Sequence, residues 1–348
     1  MGWNFESAFE TFNRHREMWD EINRNCGNHI LLDSLFVEAL IRHFGSKNTL
    51  LGISKDSKNL GMVLVEKTKH GCWQTFQPSQ GPIGLILLGN KNDVLEQIEK
   101  LIGDLPGHAL GFSIFQQDPD FTVFKNLNPC KKVEILEYIK TSRLTLTGTF
   151  EDYWKSRGRN LVHNLSRQRR RLIDQGFQLK LAVSRDPGQV ADCIRDYGRL
   201  EGSGWKAERG SPISEDNRQG IFYREILENF FNRGEGVVYR LLINDKTAAS
   251  DLCIERNGMM VILKTAYDES FQGLSLGLLL HQEIFGTLFP EGKIRVVEFY
   301  GRIRDFHTKW TDEMRTMYHI NFYRYGWVAT GRTFFKTLSK LFKNKDKK

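Results

Sequence analysis

Paired cysteines are missing from this chain. The five that occur, Cys26, Cys72, Cys130, Cys193 and Cys253, are odd in number and scattered, with no Cys-x-x-Cys spacing. That argues against a disulfide framework and predicts the reduced thiols of a cytoplasmic protein. Long apolar runs are missing too. None approaches the ~18 residues of a membrane span, and the mixed polar and acidic beginning lacks the apolar segment of a secretory leader. Glu6 stands where a myristoylation signal wants Ser or Thr. There is no His-Glu-x-x-His run, so no metal site is expected. A Gly-x-x-x-x-Gly-Lys-Ser/Thr phosphate loop and a Gly-x-Ser-x-Gly elbow are also absent. Cys253 falls inside a strand pattern without a histidine partner and reads as an inert buried thiol.

What is present describes a folded, bipartite chain. Its 348 residues exceed what one ordinary core serves, which predicts two domains. With 40% hydrophobic and 26% charged residues the chain is globular, not disordered. The net charge of +8 is concentrated at one end: residues 331–348 hold seven cations against Asp346, a local +6 that leaves +2 for the rest. A body so near neutrality is not that of a general nucleic-acid binder.

The second half has the clearer periodicity. An arginine-rich helix, Asn160–Gln175, is closed by Gly176. A strand at Phe177–Val183 precedes helices near Pro187–Glu201 and Gln219–Arg233. Strands at Val237–Ile243, Thr247–Arg256 and Met259–Tyr267 follow, the last two joined by the hairpin signal Asn257-Gly258. Then come a helix at Leu276–Leu288, a strand at Arg295–Tyr300, a short helix near Asp305–Thr311 and a last strand around Arg315–Tyr323. The first half shows a fainter version of this order. Helices read at Phe5–Arg24 and Leu31–Phe44, with strands at Leu50–Ser54, Leu60–Lys67 and Cys72–Phe76. A Pro/Gly turn at Pro78–Gly84, a helix at Asp93–Ile102 and a strand at Ala109–Phe115 follow, and a further strand ends near Thr147. The boundary is expected at Gly148–Asp152. Periodicity alone gives an α+β fold with a mixed sheet.

One turn invites chemistry. A helix N-terminus offers unpaired amides and a positive dipole end to a phosphate. Gln272-Gly273-Leu274-Ser275-Leu276-Gly277 lies between the third strand of a meander and an amphipathic helix. The GNAT pattern for a pyrophosphate-binding turn is Gln/Arg-x-x-Gly-x-Gly/Ala. Gln272 and Gly277 match it, and Ser275 replaces the first glycine. By itself the match is weak, because glycine-bearing strand-to-helix turns are common.

The element order together with this turn resembles the GNAT acyltransferases. Further stretches are similar to the CelD/BcsL group of GNAT proteins associated with bacterial cellulose or exopolysaccharide synthesis. These are Leu200–Lys206 with its Trp205-Lys206, Lys264–Asp268, Glu298–Gly301 and His307–Trp310. Ser275, Thr308 and Glu298 depart from the usual residues of that group. The resemblance covers Phe150–Tyr325 well and the first half loosely, through Gly71–Gln80. It extends distantly to the FemAB-like aminoacyl transferases, which pair two GNAT units. It implies an α+β fold of two tandem GNAT-like domains, each a mixed sheet flanked by helices. They would span residues 1–149 and 150–330, with a basic amphipathic tail at 331–348.

The resemblance also implies a reaction: attack of an amine or hydroxyl on the thioester of an acyl-CoA co-substrate, with no permanently bound cofactor. Such attack needs a general base, a proton donor for the leaving thiolate and an amide for the oxyanion. Candidate bases are Glu201, Asp268, Glu298 and His307, and candidate acids are Tyr267 and Tyr300. Residues 272–277 would hold the donor. Trp205, Lys206, Lys309 and Trp310, with Tyr267, would hold a small-molecule or glycan acceptor. Each has a plainer reading: Glu201 in a helix end, Asp268 in a turn, His307 as a hydrogen-bonded surface group, the tryptophans as core. Glu298, set among apolar residues, needs a partner or an altered pKa.

Two alternatives remain open. One is a FemAB-like transferase using charged tRNA, suggested by Lys155, Arg157, Arg159, Arg167 and Arg169–Arg171 in a stretch without an acid from Tyr153 to Ile173. The other is a non-catalytic GNAT-like module that binds a partner, suggested by Ser275 and Thr308. In the tail, Phe334, Phe335, Leu338, Leu341 and Phe342 form one face of a helix. That face is suited either to the body or to the inner surface of an anionic membrane.

Overall fold

The structure, a computed structural model, describes residues 2–56, 59–68, 71–90, 93–202, 213–271 and 273–328. Gln272, Trp205, Lys206 and the 331–348 tail lie outside the described residues. The described residues form two compact units, one of residues 2–139 with 316–328, the other drawn from residues 140–315.

The first unit opens with β1 (Trp3–Ser7), α1 (Ala8–Thr11), α2 (Arg16–Asn25) and α3 (Ser34–Phe44). The long helix expected from Phe5 is thus preceded by a strand. Residues 3–7 pair antiparallel with 50–54, and Trp3 is buried, so pairing wins over helical propensity there. Asp33 caps α3 by accepting from the Leu35 amide at 2.9 Å, and Phe36, Val37, Leu40 and Ile41 form its buried stripe. Then come β2 (Leu50–Asp56), β3 (Asn59–Lys67), β4 (Cys72–Thr75), β5 (Ile86–Leu88), α4 (Val94–Asp104), β6 (Gly111–Gln117) and the start of β7 (Val133–Thr145). Strand β4 runs parallel to β6, with residues 72–74 against 111–113.

The second unit takes the rest of β7, then α5 (Phe150–Ser156), α6 (Arg159–Asp174), β8 (Leu179–Ser184), α7 (Val190–Gly202) and α8 (Arg218–Asn232). The meander β9 (Gly236–Ile243), β10 (Lys246–Arg256) and β11 (Met259–Tyr267) leads to α9 (Leu276–Glu291), β12 (Val296–Phe299) and α10 (Asp305–Thr308). Positive φ at Asn244, Asp245, Asn257 and Gly258 turns the two hairpins, as their sequences require. The sheet order is β7-β12-β11-β10-β9-β8, antiparallel except for β11 beside β12. Leucines and phenylalanines of α9 pack on this sheet together with Val237, Leu241 and Val297.

The last strand, β13 (Met314–Tyr323), does not finish the second unit as its sequence position suggested. From Thr316 onward it belongs to the first unit, pairing antiparallel with β6 and burying Ile320 and Phe322 in that unit's core. Residues 142–145 of β7 take the place beside β12. The division accordingly falls at 139/140 and 315/316, within strands, and not at the expected 148–152.

Candidate active site

Two parallel strands open a wedge in the second unit. Residues 259–261 of β11 pair with 296–298 of β12. Beyond that, β12 stops at Phe299 while β11 continues to Tyr267, held on its other side by β10. Past Val261, the β12-facing side of β11 lies outside the β12 ladder.

The turn that follows lies beside the wedge. The Asp268 amide donates to Ala248 O at 2.8 Å, and its Oδ1 accepts from the Ser270 amide at 2.9 Å. Gly273 has φ +77°, with open space where a side chain would stand. Ser275 is the N-cap of α9, but its hydroxyl makes no capping bond. Its amide donates to Gln168 Oε1 of α6 at 2.7 Å, and Gln168 Nε2 donates back to Ser275 Oγ at 3.4 Å. Leu274 packs on the core, Leu276 is buried, and Gly277 lies where a Cβ would meet the Tyr267 ring at 3.5 Å and Phe306 at 3.8 Å. A cavity of about 370 Å³ opens here, lined among others by Arg157, Asn160, Asn164, Gln168, Ser275 and Lys309. It joins one residue of the expected donor turn to one of the expected acceptor set.

The predicted acids and bases separate. Glu298 is fully buried and held between two guanidinium groups, Arg143 Nε at 3.1 Å from Oε1 and Arg315 Nη2 at 2.7 Å from Oε2. Oε2 accepts a hydrogen bond from Arg315, and Oε1 is ion-paired with Arg143. Glu201 is buried as well: it accepts from Tyr197 Oη at 3.2 Å and from the Ile213 amide at 2.9 Å. Tyr300 lies under the Arg315 guanidinium, 5.3 Å from the ring centre. Trp310 is wholly buried, stacked on Trp154 and edge-on to Phe285, so it is core, with no face for a ligand. Its carbonyl accepts from Tyr153 Oη and Arg157 Nη1. Tyr267 is 45% exposed at the end of β11, and Lys309 is exposed.

His307 is half-buried against Phe299 and Phe306. Burial pushes its pKa down, and the neighbouring His281 imidazole adds to the shift. Its Nδ1 accepts from the Arg304 amide at 3.0 Å, so the neutral ring keeps its proton on Nε2. In that form it donates from Nε2 and has no lone pair there for a substrate proton.

A buried pair escaped the sequence reading. His281 Nε2 meets Asp251 Oδ2 at 2.8 Å, both side chains fully buried, with Phe306 and Trp310 against the imidazole. Asp251 Oδ1 and His281 Nδ1 are buried without a hydrogen-bond partner among the described residues. The signal was present: an acid between Ala249 and Cys253 on the inward face of β10, and a histidine in an otherwise apolar helix.

Residues 159–308 match the family described as an acetyltransferase (GNAT) domain. No curated protein sequence is significantly similar to the chain. Among solved structures, a conserved protein of unknown function from Bacteroides thetaiotaomicron is similar at 11% identity and TM-score 0.55, over 93% of this chain and 100% of that one. FemX is similar at 8% identity and TM-score 0.54, over 87% and 95%. L-PGS from Bacillus licheniformis is similar at 11% identity and TM-score 0.52, over 88% and 91%. At such identities the likeness is one of fold: a GNAT fold, with a mixed sheet and flanking helices.

Proposed function

We propose that this GNAT acyltransferase moves an acyl group from an acyl-CoA to an amine or hydroxyl of a sugar or small metabolite. The observation that carries the reading is the wedge between β11 and β12 with the α9 N-terminus beside it. A helix N-terminus suits the pyrophosphate of the donor. Amides of β11 past Val261 suit the oxyanion of the tetrahedral intermediate. Of the expected carboxylate bases, Asp268 is the one neither fully buried nor ion-paired among the described residues, and we assign it the acceptor's proton. To Tyr267, exposed at the strand end, we assign protonation of the departing thiolate. His307 is a hydrogen-bond donor in this scheme, and Glu201 and Glu298 are structural. The group resemblance through residues 200–206, 264–268 and 298–301 supports an acceptor in exopolysaccharide or envelope assembly. Calorimetric titration with acetyl-CoA and a longer acyl-CoA tests the donor. Saturable binding is expected, and the absence of binding by either would defeat the assignment.

A second reading has a specific observation behind it. Arg167, Arg170 and Arg171 are exposed on α6, whereas Arg169 is ion-paired with Glu283. Exposed cations on one helix suit a charged tRNA donor. Binding of tRNA that weakens steeply with salt and is lost on neutralising these three would favour it over acyl-CoA. No helix among the described residues is long and apolar enough to cross a membrane. Peripheral contact with the inner membrane surface through 331–348 is part of the proposal. It predicts flotation with anionic liposomes that is lost in a chain ending at Thr330.

A further inference from the structure

The first unit contains a cavity that acyl transfer leaves unused. It measures about 750 Å³, within the ~300–1,000 Å³ range of small-molecule sites. Its floor is one face of β4, β6 and β13, where Cys72 pairs with Gly111, Gln74 with Ser113, and Ser113 with Asn321. Alternation sends Trp73, Phe112 and Phe322 into the core on the other side. The floor therefore carries the small or polar side chains of Cys72, Gln74, Ser113 and Asn321, while Leu110, Leu136 and Val328 add apolar surface to the lining. Its border includes Phe115, Tyr323 and Trp327. Trp327 is 68% exposed and stacks on Tyr325 at 5.9 Å, an aromatic face presented to solvent.

The polar groups are fixed from behind. Ser113 Oγ donates to Asn321 Oδ1 at 2.7 Å, and Asn321 Nδ2 donates to Glu134 Oε2 at 2.9 Å. Tyr323 Oη donates to the same carboxylate oxygen at 2.7 Å. Ser113 thereby spends its proton and keeps oxygen lone pairs as acceptors. His319 accepts the Gln116 amide on Nδ1 at 3.0 Å and stacks on Tyr138, so the neutral ring holds its proton on Nε2. The lining thus offers oriented acceptors, a donor, the Gln74 amide, and aromatic and aliphatic faces, with no Asp, Glu, Lys or Arg among its described residues.

That chemistry discriminates between occupants. A phosphate-bearing ligand finds no cation in the lining. An acyl chain would strip water from Ser113, Gln74 and His319 without replacing the hydrogen bonds, which is unfavourable. A neutral sugar ring satisfies both kinds of surface: its C–H face covers an aromatic ring, and its hydroxyls donate and accept. We propose that this face of the first unit binds an uncharged oligosaccharide, with a ring stacked on Trp327 and hydroxyls bonded by Ser113, Gln74 and His319. The proposal concerns binding in the first unit and does not depend on the acyl-transfer reading of the second.

The test titrates the full chain with cellotetraose and with maltotetraose to millimolar concentration, following tryptophan fluorescence and saturation-transfer NMR. Saturable binding of at least one is expected. Trp327→Ala, at an exposed position, should weaken it about tenfold, and Ser113→Phe should abolish it by filling the floor. Acyl-CoA binding measured on the same variants should be unchanged, which keeps a failure here separate from a failure of the donor assignment. No binding of either sugar overturns the proposal. So does sugar binding indifferent to Trp327→Ala, or saturable uptake of laurate in place of the sugars.

Discussion

Glu298 illustrates how burial decides the role of a single side chain. With Arg143 and Arg315 on its two oxygens and no solvent exposure, it is an anchor joining β12 to β7, far away in the chain, and to the start of β13. Removing one partner of a buried pair leaves the other charges uncompensated, at a loss of about 3–5 kcal/mol. Glu298→Ala should therefore lower stability by that order in urea denaturation, with activity falling because the unit loosens. A fully folded, inactive Glu298→Gln would instead restore it to the chemistry. The acid could be picked out in the sequence as an oddity among apolar residues. Its partners could not, because Arg143 is more than 150 positions away and nothing local links the two.

His307 makes a pH prediction at the same scale. Its folded pKa lies below the ordinary value of 6.5, mainly through burial and secondarily through His281. The unfolded chain therefore takes up the proton first as pH falls. The stabilising contribution is complete above about 6.5 and is lost as pH drops toward the folded pKa. The urea midpoint should fall between pH 7.5 and 5.5, and His307→Gln should fall less than the parent. An equal pH slope in parent and variant would show that the ring's protonation is not linked to folding.

Among the elements, α9 and its entry turn form the proposed donor site, and here the sequence was informative. Strand, turn and helix were each visible in local periodicity, and Gly277 was singled out. The structure gives that glycine a reason: it packs beside Tyr267 and Phe306, and its neighbour Ser275 is tied to Gln168. The Gln168 tie was not readable, since α6 and the turn are over 100 residues apart. Gly277→Ala meets the Tyr267 ring at an ordinary contact distance and gains helix propensity, by up to ~1 kcal/mol. Gly277→Leu has to displace Tyr267 or Phe306. Thermal unfolding should show the alanine variant at or above the parent. Calorimetry should show the leucine variant losing acyl-CoA binding, and equal affinity in both would move the donor away from this turn. Gln168→Ala removes a side chain that occupies the Ser275 amide. Stability should drop by about 1 kcal/mol, and acyl-CoA affinity should rise, because a phosphate then meets an amide without an internal competitor.

At the scale of the whole molecule, the element order of both halves was legible because it follows from alternation, helix period and turn chemistry, all local. The closing strands were not. A strand's own pattern says that it has two faces, but not which distant edge it will pair with, and β13 reaches back to β6 across about 200 residues. The consequence is testable. Ile320 and Phe322 are buried in the first unit's core, and side chains of that kind contribute about 1.5–3 kcal/mol each. A chain ending at Arg315 keeps every described residue of the second unit but loses both, and it leaves β6 with an open edge. Against a total stability of ~5–15 kcal/mol, that loss is large. Hydrogen exchange should show the amides of residues 111–117 losing protection in this truncation while those of 237–243 keep it. A chain ending at Val328 should protect both, because it retains β13. Protection of 111–117 in the shorter chain would mean that the first unit closes its sheet without the returning strand.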